Sequence, residues 1–409
     1  MSRSRPGLSG VVGGGPSGGR RGRRRGWRWV RRGALGVGLV LVGAGGAGWA
    51  VYAKLDSNIT TDEAAAAELE RYENERPTSL VRDARNILLI GSDSRAGSGN
   101  RRYGRDSGTE RSDTTILLHL SAGRGSATAV SIPRDLMVDV PGCRSDDGSR
   151  SDPMFAMFNH AFQVGGSACT IRTVERLTDI RIDHHMVIDF HGFKEMIDAL
   201  DGVEICLTKP IDDKAAKLRL PAGKVTLNGE QALGYVRARK TLGDGSDTDR
   251  MDRQQRFLAA LVHKVQSNDV LLNPVRLYPV LDAATSSLTT DPALAGLRGL
   301  YELVRGVRDI PTERVQFLTV PRESYIHNSN RDQLMEPAAE RLFERLRTDT
   351  PVEVVDSSGM HQGPSRDSSH RSSHGRGGKS DAKPYDDSTE PTPPPPTFRG
   401  NTAAENPCG

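Results

Sequence analysis

Acidic and arginine side chains recur beside the short apolar runs of this sequence. Asp93 follows the run NILLIG, Asp113 precedes the run TILLHL, and Arg134 follows the run ATAVSI. Carboxylates at strand ends can hold Mg²⁺, which prefers oxygen ligands and usually keeps phosphates and waters as partners. Guanidinium groups bind phosphate oxygens through two parallel hydrogen bonds. These residue types and positions therefore favour a magnesium-assisted phosphate site.

Further cationic residues follow later in the chain. Arg237 and Arg239 lie two residues apart, so their side chains point the same way in an extended chain. Arg250 and Arg253 lie three apart on one face of a predicted helix, with Gln254 beside them. A lone arginine usually belongs to a surface ion pair. Together, however, these residues would form a pyrophosphate site, where transfer needs positioning and charge neutralisation more than a covalent nucleophile.

Motifs for other chemistries are weak. The segment GAGGAG at 43–48 fits a dinucleotide-binding pattern, but it lies in an uncharged stretch with no strand before it. The tripeptide GKS at 378–380 resembles the end of a P-loop, but Ser373 stands where the first glycine should be. The sequence contains no HExxH, and His184 and His185 are interpreted as structural. A zinc hydrolase therefore has no support.

The apolar runs predict an alternation of strands and helices. Short runs bounded by turn residues are typical of buried strands, whereas apolar residues at helical spacing predict helices. The predicted strands are 86–91, 115–120, 127–132, 185–190, 203–206 and 315–320. The predicted helices are 171–177, 193–200, 229–236, 250–265, 292–307 and 336–347. This mixture over residues 85–350 predicts one catalytic domain of the α/β class.

The N-terminal segment predicts a membrane anchor. Residues 33–53 carry no charge, and a helix of that length can cross a bilayer. Residues 1–32 hold ten arginines and no acid, which places this basic arm in the cytoplasm by the positive-inside rule. Trp27, Trp29 and Trp49 lie beside or within the segment, as interfacial aromatics do. The prediction is a single-pass protein of the cell membrane whose catalytic domain is extracytoplasmic.

Charge and composition describe the remaining segments. The net charge of +4 combines +10 in residues 1–32 with −6 in the rest, and an acidic body excludes nucleic acid as its partner. Residues 54–84 are charged and alanine-rich, which predicts a stalk helix or linker. Residues 351–409 contain a Ser/His/Arg tract and the segment PTPPPPT, which predict a disordered tail.

The four cysteines contain no C-x-x-C pair and no spacing typical of zinc ligands. An extracytoplasmic position favours disulfides. Cys143 and Cys169 bracket one polar segment and are the preferred pair, with Cys206 as an alternative partner and Cys408 in the tail.

The motifs around these residues resemble those of the LytR–CpsA–Psr family, in the family's order. They are NILLIGSDSR (86–95), RSDTTILL (111–118), SIPRDL (131–136), FNHAFQVGG (158–166), DFHGFKEMIDALDGVEI (189–205), LNGEQALGYVRAR (227–239) and DRMDRQQRF (249–257). The cysteines and the Arg/Gly-rich composition are similar to those of actinobacterial members. The stretch 96–110, between the two acids, is longer than the family pattern implies.

The resemblance implies an αβα-layered domain with a central mixed sheet and a deep apolar pocket for a polyprenyl chain. It implies transfer of a phospho-glycopolymer from polyprenyl pyrophosphate to a peptidoglycan hydroxyl, with Mg²⁺ on Asp93 and Asp113. By motif, Arg134, Arg237 and Arg239 would hold the pyrophosphate. The residues that would support the site are Arg95, Arg250, Arg253 and Gln254. Either acid could also accept the proton of the attacking hydroxyl.

Two other functions fit the same residues. A binding protein or envelope-related transcriptional attenuator would hold the lipid pyrophosphate without transfer. A polyprenyl pyrophosphatase would use water in place of the glycan acceptor. The acidic, extracytoplasmic body argues against direct DNA binding, because phosphate contacts need a basic face.

Overall fold

The computed structural model describes residues 42–92, 112–145, 148–214, 216–238, 247–266, 274–355 and 396–405. The chain forms two compact units, Met1–Lys54 and Leu55–Gly409. Residues 42–58 are helical, but within the described ranges no helix is both long and apolar enough to cross a membrane. The basic arm 1–32 and residues 33–41 of the predicted span lie outside these ranges.

The second unit contains the mixed α/β fold. Its helices are α1 (Glu63–Arg71), α2 (His160–Thr178), α3 (Phe190–Ala199), α4 (Gly229–Arg237), α5 (Asp247–Gln266), α6 (Pro274–Ser286), α7 (Leu297–Arg308) and α8 (Ala338–Arg347). Its strands are β1 (Thr60–Thr61), β2 (Arg85–Ser92), β3 (Ser112–Leu120), β4 (Ala127–Ile132), β5 (Met137–Val140), β6 (Met154–Met157), β7 (His184–Asp189), β8 (Val203–Leu207), β9 (Ile211–Asp213), β10 (Leu218–Leu220), β11 (Gly223–Leu227), β12 (Leu288–Thr290), β13 (Val315–Thr319), β14 (Arg322–Tyr325), β15 (Asn328–Leu334), β16 (Glu353–Val355) and β17 (Thr397–Thr402).

A nine-stranded mixed sheet forms the centre, in the order β1-β12-β7-β2-β3-β4-β13-β17-β16. Its middle strands β2, β3 and β4 are antiparallel neighbours, whereas β7 is parallel to β2 and β13 is parallel to β4. Five of the six predicted strand runs fall in these strands, which confirms the predicted central sheet, whereas the run 203–206 lies in β8 of a separate two-stranded sheet. The runs are almost continuously apolar because helices cover both faces of the sheet.

Helices α2 and α8 cover one face. Leu88, Ile90, Leu117 and Val130 of the middle strands point into this core and are almost fully buried. The helical residues in the same core are Phe162, Cys169, Ile171 and Val174 from α2 and Ala339, Leu342, Phe343 and Leu346 from α8. Helix α8 begins two residues later than predicted, and α2 extends well beyond the predicted 171–177.

Helices α5 and α7 cover the opposite face less completely. Ile87, Ile116 and Phe317 are buried there. Leu89 and Leu118, which lie on the same face in the middle of the sheet, are only half-buried. The helical side chains packed against this core are Leu258 and Val262 from α5 and Leu303 and Val307 from α7, and they are half-buried as well. Part of an apolar sheet face therefore stays accessible.

The segment that precedes β2 belongs to the domain. The guanidinium of Arg76 contacts Glu175 of α2, with an Nη2–Oε1 distance of 2.7 Å. The carboxylate of Asp62 accepts a hydrogen bond from Ser167 and lies 3.1 Å from Nε2 of His185. The linker predicted over residues 54–84 is therefore wrong, although it does contain a helix. Some of its charged side chains, such as Asp62 and Arg76, pair with residues of the domain, whereas others, such as Glu63, are exposed.

The C-terminal strand β17 also belongs to the domain. It pairs with β13 on one side and β16 on the other, and Phe398 is 5% exposed in the core of the first face. The disordered tail predicted over 351–409 is therefore wrong for β16 and β17. Composition concealed β17, because the segment TFRGNT contains a single large apolar residue. Residues 356–395 lie outside the described ranges.

A disulfide joins Cys143 to Cys169, which confirms the preferred pair. It ties the segment after β5 to α2 at a point where the backbones are close. A Cβ atom at Gly165 would lie 3.0 Å from the Cβ atoms of both cysteines. Cys206 is disulfide-bonded as well, and its partner lies outside the described ranges.

We expect acid to destabilise the contact between the N-terminal segment and the domain. Burial raises the pKa of Asp62, but hydrogen bonds from His185 and Ser167 outweigh this effect and hold the pKa below its usual 3.8. A lowered pKa in the folded state stabilises the fold above the unfolded-state pKa, and this contribution is lost as pH falls through the folded-state pKa. Asp62→Asn should therefore lower the melting temperature at neutral pH and flatten its fall below about pH 4. Glu63→Gln, at the exposed neighbouring residue, is the control and should change neither the melting temperature at neutral pH nor its fall in acid. If Asp62→Asn leaves the fall of the melting temperature in acid unaltered, the expectation is contradicted.

We expect Phe398→Ala to lower the free energy of unfolding by about 3–5 kcal/mol, because it leaves a cavity under β17. Thr397→Ala, on the exposed side of the same strand, should change it by less than about 0.5 kcal/mol. Denaturant unfolding of the two variants measures the difference. Equal stabilities would show that β17 does not contribute to the core.

Candidate functional site

The ends of five strands meet at one edge of the central sheet. Strands β2, β4, β7 and β13 point the same way and β3 runs opposite. The carboxyl ends of the four strands therefore lie beside the amino end of β3. Ligands of open α/β sheets bind outside the carboxyl ends of the strands. We take this edge as the candidate active site.

The strand register fits a pair of acids at this edge. Ser92, the last residue of β2, pairs with Ser112, the first residue of β3. In the sequence, Asp93 directly follows Ser92 and Asp113 directly follows Ser112. The backbone of Asp113 lies in β3, and its side chain is outside the described part of the chain. The other predicted site residues outside the described ranges are Asp93, Arg95 and Arg239.

Arg134 lies two residues beyond β4, at the centre of this edge. Its side chain is 23% exposed, and its Nε donates to Asp135 over 3.3 Å. The carboxylate of Asp135 also lies 3.7 Å from Nη1 of Arg331, which the sequence analysis did not single out. The carbonyl of Arg134 accepts a hydrogen bond of 3.1 Å from the backbone N–H of Asn159. The backbone at Arg134 is thus fixed by a hydrogen bond, and part of its side chain remains accessible.

Arg237 ends helix α4 and is exposed. The helix starts with a capping box in which Asn228 and Gln231 exchange side-chain and backbone hydrogen bonds. Its last turn brings the guanidinium carbon of Arg237 to 4.8 Å from the centre of the Phe190 ring. Phe190 begins α3 directly after β7, so this contact places Arg237 at the carboxyl end of β7. Stacking on an aromatic ring holds the plane of the guanidinium in a defined orientation.

Helix α5 brings the next three predicted residues to the same edge. Arg250 and Arg253 are each 6% exposed, and Arg253 donates to the carbonyl of Ala238 just after α4. The amide of Gln254 donates to the Val236 carbonyl over 3.1 Å and to the Thr114 hydroxyl over 3.4 Å. The start of α5 is therefore bound to the end of α4 and to the beginning of β3. These segments, distant in the sequence, therefore contact one another in the structure.

Several supporting residues escaped the sequence analysis. Gln255 donates to the Thr319 hydroxyl at the end of β13, over 2.9 Å. Asn159 is 6% exposed, and its Oδ1 has no hydrogen-bond partner among the described residues. Burial raises the pKa of the Tyr235 phenol, against the opposing charges of Arg256 and Arg253. Both Asn159 and Gln255 lie within motifs quoted above, FNHAFQVGG and DRMDRQQRF, but their roles arise from tertiary neighbours and were not assigned from the sequence.

Magnesium binding remains a prediction. Among the described residues, no group of three or more His, Cys, Asp or Glu side chains could hold a metal. The paired positions of Ser92 and Ser112 are compatible with the two predicted carboxylate ligands, since each serine directly precedes one of the acids. Two carboxylates together with phosphate oxygens and waters make a typical magnesium shell.

An apolar surface begins where the cationic edge ends. Helix α5 carries Arg250 and Arg253 in its first turns, and further along the helix Leu258 and Val262 pack on the sheet face that includes Leu89. The two chemical environments are thus consecutive along one helix. This arrangement suits a ligand with an anionic head and an apolar chain.

The histidines of β7 lie at the opposite edge of the sheet, because they begin the strand. Nδ1 of His184 is 3.2 Å from Asp291, and His185 is 2% exposed beside Asp62. A cavity of about 290 Å³ lies next to them, with Glu70 in its lining. These carboxylate contacts are consistent with the structural role expected for both histidines.

Comparison with known proteins agrees with this architecture. Residues 54–348 match the model of the LytR_cpsA_psr family. The chain is 38% identical over 264 residues to the probable cell wall biosynthesis protein LcpB of Corynebacterium glutamicum, covering 63% of this chain and 56% of that protein. It is 28% identical over 294 residues to the polyisoprenyl-teichoic acid–peptidoglycan teichoic acid transferase TagT of Bacillus subtilis, covering 69% of this chain and 84% of TagT. The chain spans about half the length of the Corynebacterium relatives it matches.

Solved structures share the fold. The crystal structure of B. subtilis TagV superimposes with a TM-score of 0.52 at 24% identity, covering 66% of this chain and 98% of TagV. The LytR-Csp2A-Psr enzyme from Actinomyces oris gives a TM-score of 0.51 at 21% identity, covering 66% of this chain and 93% of that protein. Because the family model matches one continuous stretch of nearly three hundred residues, the chain belongs to the LytR–CpsA–Psr family.

Proposed function

We propose that this protein transfers a phospho-glycopolymer from a polyprenyl-pyrophosphate carrier to peptidoglycan. The observation that carries the proposal is that a cationic surface and an apolar surface follow one another along α5. Arg250 and Arg253 are buried at the edge of the sheet, and the same helix then packs on a sheet face where Leu89 and Leu118 are half-buried. A lipid pyrophosphate has the matching parts, an anionic head and a long apolar chain. Relatives named as polyisoprenyl-teichoic acid transferases support the same substrate class.

The arginines would act through charge and geometry. Arg134 and Arg237 present guanidinium groups at the ends of β4 and β7, where a pyrophosphate would lie. Their planar forks would hold its oxygens and stabilise the charge that develops during transfer. Arg253 and Gln254 would position the site, because they fix the start of α5 against α4 and β3. Arg239 and Arg95 remain predicted contributors.

The chemical step is transfer between two oxygens. The acceptor hydroxyl attacks the sugar-proximal phosphorus, a new P–O bond forms, and the P–O bond to polyprenyl phosphate breaks. Asp93 or Asp113 would take the proton of the hydroxyl. The same two carboxylates would hold Mg²⁺, which would supply charge neutralisation to the phosphate oxygens when bound. Since positioning and charge carry this type of reaction, no protein nucleophile is needed.

The topology forms part of the proposal. The uncharged segment 33–53 would cross the cell membrane once, with the arginine-rich residues 1–32 in the cytoplasm. The domain would then lie outside, where lipid-linked glycopolymers and peptidoglycan meet. The disulfide between Cys143 and Cys169 suits an oxidising compartment.

We expect a reporter that is active only outside the cytoplasm to work when it is fused after Pro77 and to fail when it is fused after Gly19. The reverse pattern would contradict this topology.

We expect Arg134→Ala to slow transfer by about 10²–10³-fold, because one guanidinium stabilises the transition state by a few kcal/mol. Arg134→Lys should restore little of the rate, since a point charge cannot replace the planar fork. The matched control is Arg219→Ala in β10, whose side chain is 88% exposed. Transfer from purified lipid pyrophosphate to peptidoglycan measures all three. Equal losses in Arg134→Ala and Arg219→Ala would contradict the assigned role.

The reaction itself is tested by the release of polyprenyl phosphate, with and without Mg²⁺ and a peptidoglycan acceptor. We expect release to require both. Lipid binding without release under every condition would favour a binding or regulatory protein. Fast release that is independent of the acceptor would favour a pyrophosphatase.

A further inference from the structure

Helix α7 has an apolar stripe that is wider than its contact with the core. Leu303 and Val307 pack against the second sheet face. At 100° per residue the stripe continues around the helix to Val304 and Tyr301, which are 51% and 64% exposed. A helix that only covers a core keeps its apolar residues on the core side. Tyr301 and Val304 therefore need a different explanation.

Arginines border the exposed part of this stripe. At 100° per residue, Arg305 and Arg298 follow Tyr301 around the helix within about 60° of it, and Arg308 lies between Val304 and Tyr301 near the end of the helix. The acid on this helix, Glu302, lies further round and pairs with Arg298 over 3.3 Å. Apolar residues with one aromatic, bordered by arginines, are typical of helices that lie in the interface of a membrane with anionic lipids.

The amino end of α7 contacts a residue that closely follows the predicted membrane anchor in the chain. The backbone N–H of Leu297 donates to Oδ1 of Asp56 over 2.9 Å, and Asn58 donates to Asp282 of α6 over 2.9 Å. Asp56 is three residues after Ala53, where the predicted span ends. Three residues extend over no more than about 11 Å. If residues 33–53 cross the bilayer, the start of α7 is tethered within a short distance of its surface.

We propose that α7 lies on the outer surface of the membrane, with Tyr301 and Val304 in the boundary between headgroups and acyl chains. Arg298, Arg305 and Arg308 then contact anionic headgroups. The inference rests on the proposed anchorage, and it adds an orientation of the domain that the anchor alone does not impose. It also brings the half-buried sheet face, on which Leu303 and Val307 pack, next to the membrane surface. A lipid chain could thus reach that face without passing through bulk water.

The test measures depth in the membrane and does not depend on transfer activity. The oxidised full-length protein is reconstituted into phosphatidylcholine vesicles that contain phosphatidylglycerol. A nitroxide is attached at Val304→Cys, and a matched label at Glu302→Cys lies on the exposed, polar side of the same helix. Collisions of each nitroxide with oxygen, which enters the bilayer, are compared with collisions with a water-soluble nickel complex.

We expect the oxygen-to-nickel ratio to be at least about twofold higher at Val304 than at Glu302, as for a helix lying in the interface. Replacing Arg305 and Arg308 by Gln, or omitting phosphatidylglycerol, should reduce the difference. Equal ratios at the two positions would overturn the proposal. Protection of Val304 that rises with protein density and ignores lipid charge would also overturn it, because a second copy of the chain would then cover this face. Either result would leave the transferase assay unaffected.

Discussion

A guanidinium group that leaves water must gain acceptors or anions inside the protein, and this requirement organises the end of the central sheet. Arg250 and Arg253 are almost fully buried in the first turns of α5, and Arg253 donates to the carbonyl of Ala238. Gln254 adds bonds to α4 and β3. Arg253 and Gln254 thus fix three elements against each other. They also concentrate positive charge where burial weakens screening, and the exposed Arg237 and half-buried Arg134 border that region.

Helix α5 also packs on the face of the sheet that is incompletely covered. A fully covered face would bury Leu89 and Leu118. Each square ångström of apolar surface removed from water would then add about 25 cal/mol to the stability of the fold. Helices α5 and α7 leave these side chains half-buried. A bound polyprenyl chain would cover them and would stabilise the folded domain as any ligand of the native state does. Incomplete coverage is therefore what a lipid carrier site requires, at a moderate loss of stability to the domain without ligand.

Local patterns were sufficient to predict the central strands. The runs around Leu88, Leu117 and Val130 are continuous because both sheet faces are covered, so their signal survives in the sequence. The arginines of α4 and α5 were recognised because their spacing and motifs are local. Two segments could not be predicted in this way. Phe398 is a lone apolar residue whose burial depends on the edge of β13, and the charges of Asp62 and Arg76 have partners more than ninety positions away. Contacts between residues so far apart leave no helical or strand periodicity in the sequence.

The central claim is that the cationic edge and the half-buried sheet face form one binding site for a lipid pyrophosphate. It is tested most directly by photolysis of a polyprenyl-pyrophosphate analogue that carries a diazirine near the end of its chain, bound to the full-length protein. Peptide mapping should place the cross-links on β2, β3 and α5, around Leu89, Leu118 and Leu258, and unlabelled carrier should suppress them. Cross-links confined to the face covered by α2 and α8, or cross-links that unlabelled carrier does not reduce, would contradict the account.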